Sequence, residues 1–119
     1  MALLGFNKKM APAVECDWKR QTIRRTRHDI YPGKRLQLYA GLRTRDCRKL
    51  MDPTCKGKRQ IVIDEDEIIL HGSILSKESM LDFVHADGFV TIDEFTRFFR
   101  DKYGLPFGTD GRGAEVIYW

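Results

Sequence analysis

The sequence predicts an α+β fold, a small curled β-sheet or barrel of about five strands with short flanking helices. Three observations lead there. Short runs such as Gln21–Arg25 and Arg35–Tyr39 alternate with the two-residue period of a half-buried strand. One longer run, Ile92 to Tyr103, carries its aromatic residues at helical spacing. The elements follow in the order helix, four short strands, two helices, strand, with no repeat or linker between them. At 119 residues, 42% of them hydrophobic, the chain is long enough for one core without disulfides or metal. A single domain over residues 1–119 is expected.

Each element has a local reason. Asn7 to about Cys16 places Met10, Ala11 and Val14 on one face and reads as a short helix. Tyr31-Pro-Gly-Lys34 reads as a type II turn, in which Pro32 presets φ and Gly33 supplies a positive one. After the strand Arg35–Tyr39, the stretch Ala40 to Pro53 is an Arg-rich loop, too long for a hairpin turn. Arg59–Ile63 and Glu67–Leu70 flank an acidic turn as a hairpin. Ser76 caps a helix running to about His85. Thr91 and Glu94 fit a capping box for the next helix, which Gly104 ends. Glu115–Trp119 closes the chain as a strand.

Several classes are excluded. No run approaches the ~20 apolar residues of a membrane span, and the apolar fraction is too high for disorder. The first residues are apolar and the lysines come after them, the wrong order for a signal peptide, so a soluble cytoplasmic domain is expected. Cys16, Cys47 and Cys55 are odd in number and none is at C-x-x-C spacing, which fits reduced thiols. No metal site and no cofactor are expected. The stretch Asp87 to Glu94 mimics half of a calcium loop but lacks the first carboxylates. The glycine-rich run Gly108–Gly113 follows no strand and opens no helix, so it is not a phosphate loop.

Charge is divided unevenly. Residues 1–60 hold 16 Lys and Arg against 5 Asp and Glu, whereas residues 61–119 hold 5 against 12. Twelve of the 21 basic residues are Arg, the side chain suited to forked phosphate contacts and to stacking on bases. Such a block points to a polyanion bound with strong salt dependence. No amphipathic basic helix points to a membrane surface instead. Within the block, the strand beginning Lys19-Arg-Gln-Thr-Ile-Arg24 turns Arg20, Thr22 and Arg24 to one face. A Lys19 crowded by Arg20 and Arg24 would have a lowered pKa, and could act as a base on the Thr22 hydroxyl.

The segments Lys19–Arg24, Pro32-Gly33, Leu36–Tyr39, Gly41–Leu50, Ala86–Phe89, Asp93–Phe95, Phe98-Phe99 and Tyr103-Gly104 follow one another in an order that resembles the ASCH (activating signal cointegrator homology) superfamily. Small phage and bacterial members are the most similar. The resemblance spans roughly residues 6–119. It implies a PUA-like β-barrel with flanking helices, a cleft lined by the first-strand signature, and RNA as partner. It also implies two activities, ribonuclease-type cleavage and amidohydrolysis of N4-acetylcytidine. In the hydrolases a Lys-x-x-Thr and a later acidic residue form the catalytic set. Lys19 and Thr22 match the first two positions, and Asp87 falls near the third.

Two functions are therefore expected. The first is RNA binding, with Arg20, Arg24, Arg25, Arg43, Arg45, Arg48 and Lys49 on phosphate and Tyr39 as a stacking platform. The second is metal-independent catalysis on a modified nucleoside or on RNA, with Lys19 as base, Thr22 as nucleophile and Asp87 orienting them.

Overall fold

The computed structural model describes residues 2–119. Its first element, strand β1 (Ala2–Phe6), lies in a segment read only as an apolar patch. It buries Ala2, Leu4 and Phe6 and leaves Leu3 exposed. The helix expected over Asn7–Cys16 is confined to α1, Ala11–Glu15. Asn7 Oδ1 accepts the Met10 N–H at 2.9 Å and holds the preceding residues in a turn, and Pro12 sits in the first helical turn, where its missing N–H costs nothing. Strand β2 is Gln21–Arg25, as predicted. The turn before β3 (Leu36–Ala40) closes with a 2.9 Å bond from Lys34 N–H to Tyr31 C=O and Gly33 at φ 93°.

The expected loop 40–53 contains a further strand, β4 (Arg48–Met51). Its Arg48 and Lys49 are exposed on the edge of a sheet, where charge discourages pairing with other chains and hides the apolar signal. Then come β5 (Gly57–Ile63), β6 (Ile68–Leu70), the two-residue β7 (Ser73–Ile74), α2 (Lys77–Ala86), α3 (Ile92–Tyr103) and β8 (Ala114–Tyr118). Eight strands thus replace the expected five or so. Of the additional ones β7 is two residues long and β4 carries exposed charge, whereas β1 pairs with β3, a strand distant in sequence.

These strands form two sheets. β1, β3 and β4 make one, with β1 parallel to β3; the other is antiparallel in the order β2-β8-β5-β6-β7. Among the described residues no ladder joins the two sheets, so the architecture is α+β with two sheets and three helices. Strand β8 is buried on both faces. Val116 joins a core shared with α2 and α3, built around Phe83, Phe95, Phe99 and Phe107. Its neighbour Ile117 joins a second core with Leu4, Phe6, Leu36, Leu38 and Trp119. No helix among the described residues is long and apolar enough to cross a membrane.

The helix caps are those read from the sequence. Ser76 Oγ accepts the Ser79 N–H, and Thr91 Oγ1 accepts the Glu94 N–H at 3.1 Å. Glu94 reaches back to the Val90 N–H rather than to Thr91 itself. Thr91→Ala should lower unfolding stability by about 1 kcal/mol, read as a smaller midpoint at unchanged slope in urea denaturation.

Candidate active site

The entrance of β2 is tied to two helices. Lys19 N–H donates to Ala13 C=O at 2.9 Å, and Arg20 N–H donates to Ala86 C=O at 3.0 Å. Asp87 caps the C-terminus of α2, and Gly88 then turns the chain at φ 94°. A Cβ on Gly88 would lie 3.0 Å from Met10 Sδ and 3.3 Å from Lys19 Cδ, so glycine is what lets the lysine stem pack against this turn. Lys19 and Asp87 are consequently 3% and 2% exposed. Lys19 Nζ donates to the Asp87 carbonyl at 2.6 Å and lies 3.6 Å from Asp87 Oδ2. Gln21 Nε2 donates to Asp87 Oδ1 at 3.3 Å.

Thr22 points to the same region from the other face of the strand. Its Oγ1 accepts from Arg24 Nε at 3.2 Å, while an Arg24 terminal nitrogen donates to Gly5 C=O at 2.6 Å. The strand period thus pairs Thr22 with Arg24, as expected. Arg20 does not join them: it lies before β2 begins and is exposed. Lys19, Thr22, Arg24 and Asp87 line one cavity of about 140 Å³, walled by Phe6, Phe89, Phe98 and Phe99. A cavity of roughly 150 Å³ is known to take a benzene ring, so this one has room for one six-membered ring.

Burial sets the electrostatics. It pushes the Asp87 carboxyl up to about 6, although Lys19, Gln21 and Arg24 all pull it down. It pushes the Lys19 ammonium below its ordinary value; the Asp87 charge opposes this and Arg24 adds to it. The expected lowering of Lys19 is present and Arg24 contributes to it, but desolvation is the larger cause and Arg20 is not among the causes. Lys19 makes no hydrogen bond to Thr22; Arg24 does. Lys19 and Asp87 thus form a buried, interacting pair that lines the same cavity as a hydroxyl bonded to a guanidinium.

Apart from Arg24, the basic residues expected to contact phosphate fall into two groups. Arg25, Arg48 and Lys49 are ion-paired with Asp110, Glu15 and Asp52 at 2.6–3.0 Å. Arg20, Arg43 and Arg45 are exposed and have no carboxylate within 4 Å among the described residues. Arg43 joins Arg24 and Arg27 along a groove beside β1 that shares Gly5 and Arg24 with the cavity. Tyr39 is half-buried on β3. The sequence reading missed Gln21, the phenylalanine walls and Lys102 as site residues. Lys102 had a readable signal: it extends the stripe Phe95, Phe98, Phe99 by one more helical step, a lysine on an otherwise aromatic face.

Among the described residues no three His, Cys, Asp or Glu side chains gather at metal-binding distance. Comparisons of the chain with known protein families, with curated proteins and with solved structures find no match.

Proposed function

We propose that the protein is an ASCH-type domain that hydrolyses the exocyclic amide of a modified pyrimidine nucleoside, with N4-acetylcytidine as the type substrate. The observation that supports it is the convergence of Lys19, Thr22 and Asp87, with Arg24, on a cavity of ring size. The base occupies the phenylalanine-walled slot. Thr22 Oγ attacks the amide carbonyl in molecules whose Lys19 has released its proton, a release that burial of the ammonium eases, and the Thr22 proton passes to Lys19. Arg24, already bonded to Thr22 Oγ1, stabilises the developing oxyanion. Lys19 then protonates the departing nitrogen, and water releases the acyl group from Thr22. Asp87 pairs with the resting Lys19 ammonium and holds it in place. In this reading the two sheets are halves of a PUA-like barrel. The test is release of cytidine and acetate from N4-acetylcytidine in buffer with EDTA, followed by chromatography. No release by the folded protein sinks the hydrolase reading.

A second reading, RNA binding, is favoured by the groove of Arg24, Arg27 and Arg43 that adjoins the cavity. It is narrower than the charge count implied, because Arg25, Arg48 and Lys49 already have partners and Arg27 of the groove itself is paired with Asp29. Single-stranded RNA affinity should fall with salt at a log–log slope of roughly −0.7 per phosphate contact. Arg43→Ala together with Arg45→Ala should flatten that slope by about 1.4, measured by fluorescence anisotropy. An affinity indifferent to salt would remove this reading.

A further inference from the structure

The cavity's charges do not balance. Three cations face it, Lys19, Arg24 and Lys102, against the single carboxylate of Asp87. Lys19 is satisfied by Asp87. Arg24 spends its bonds on neutral oxygens, those of Thr22 and Gly5, and most of its five N–H donors stay unused. Lys102 lies on α3 with its Nζ 5.4 Å from the ring centres of both Phe98 and Tyr103. Neither Arg24 nor Lys102 has a carboxylate within 4 Å among the described residues. Lys102 feels Arg24: burial first, and then the guanidinium, lower its ammonium. Two like charges on one partly dry wall repel each other more strongly than they would in water. An anion between them relieves that repulsion and meets donors of two kinds, a guanidinium fork and an ammonium.

We infer that Arg24 and Lys102 form an anion subsite, so that the ligand of this pocket is a nucleotide whose phosphate they hold beside the base. The inference rests on the base-binding reading above and adds Lys102, which that reading does not use. The phosphate could belong to a mononucleotide or to the backbone of an RNA chain, and the chemistry recognised is the same. Phosphate rather than a carboxylate fits the position, because past Arg24 the wall continues to Arg43, which is exposed and has no carboxylate within 4 Å among the described residues.

The experiment measures binding of cytidine, cytidine 5′-monophosphate, a short cytidine oligonucleotide and inorganic phosphate by calorimetry at low ionic strength. It uses the wild-type protein, Lys102→Gln and Lys102→Arg. The monophosphate should bind roughly tenfold or more tightly than the nucleoside, the gain expected of a charge-assisted contact. Lys102→Gln should shrink that ratio to about twofold, and Lys102→Arg should retain it. A further gain for the oligonucleotide that Lys102→Gln removes assigns the phosphate to RNA; no further gain assigns it to a mononucleotide. Binding of inorganic phosphate that Lys102→Gln abolishes supports the subsite even if no base binds. Equal affinity for nucleoside and monophosphate overturns the subsite and leaves the base pocket standing. Failure of every probe to bind overturns both.

Discussion

Thr22→Val should lower kcat/KM for N4-acetylcytidine by roughly 10³-fold or more, with the circular dichroism spectrum unchanged. Valine keeps the shape of threonine and removes only the hydroxyl. The position is 4% exposed, second in β2 and registered against Ile117 of β8, so a β-branched side chain suits it. What is lost locally is the acceptor for Arg24 Nε, a hydrogen bond of 3.2 Å whose net contribution to stability is about 1 kcal/mol. Loss of the nucleophile costs far more, since a thousandfold corresponds to about 4 kcal/mol of barrier. Thr22→Ser should keep part of the rate, because it keeps the reacting oxygen. If Thr22→Val turned over the substrate at the wild-type rate, attack would come from a water activated by the Lys19–Asp87 pair, and Thr22 would be a wall of the pocket. Chromatographic assay of cytidine release for the three proteins separates these outcomes.

How far the site could be read in advance depended on the distance over which its parts interact. Thr22 and Arg24 lie within one strand, with Lys19 two residues before it, and the two-residue period alone puts Thr22 and Arg24 together. Asp87 is 68 residues beyond Lys19, and nothing local announces that its carbonyl and carboxylate meet that ammonium. Only the resemblance singled it out. The same division runs through the fold. The helix α3 was legible from Thr91 to Gly104 because caps and stripe are local chemistry. Strand β1 was not, since its partner β3 pairs in parallel from the far side of α1 and β2. Strand β4 was masked by its own charged residues. The basic face was overestimated for a related reason: Arg25 meets Asp110, and Arg48 meets Glu15, only once the chain has folded.

Either half of the buried pair, removed alone, should destabilise the protein by about 3–5 kcal/mol, because the partner's charge is left buried without a counter-ion. In Lys19→Met the stranded group is Asp87; in Asp87→Asn it is Lys19. The double variant should cost less than the two singles added, by about 1–3 kcal/mol, since neither charge then remains. The pH dependence separates the two singles further. Asp87 titrates near 3.8 when unfolded and at about 6 when folded, so between those values the folded state holds more protons and its stability falls as pH rises. Without Lys19 the folded value moves higher still, and the Lys19→Met penalty should grow from pH 5 to pH 8. Lys19 has the opposite sign. Its folded value lies below 10.5, so the unfolded state holds more protons on the alkaline side and stability recovers there as pH rises. Without Asp87 that recovery starts at lower pH, and the Asp87→Asn penalty should shrink towards alkaline pH. Urea denaturation of the four proteins at pH 5, 7 and 9 measures both slopes. Additive penalties with parallel pH profiles would mean that the two charges do not sense each other, and the lysine would then lack the partner that the catalytic reading gives it.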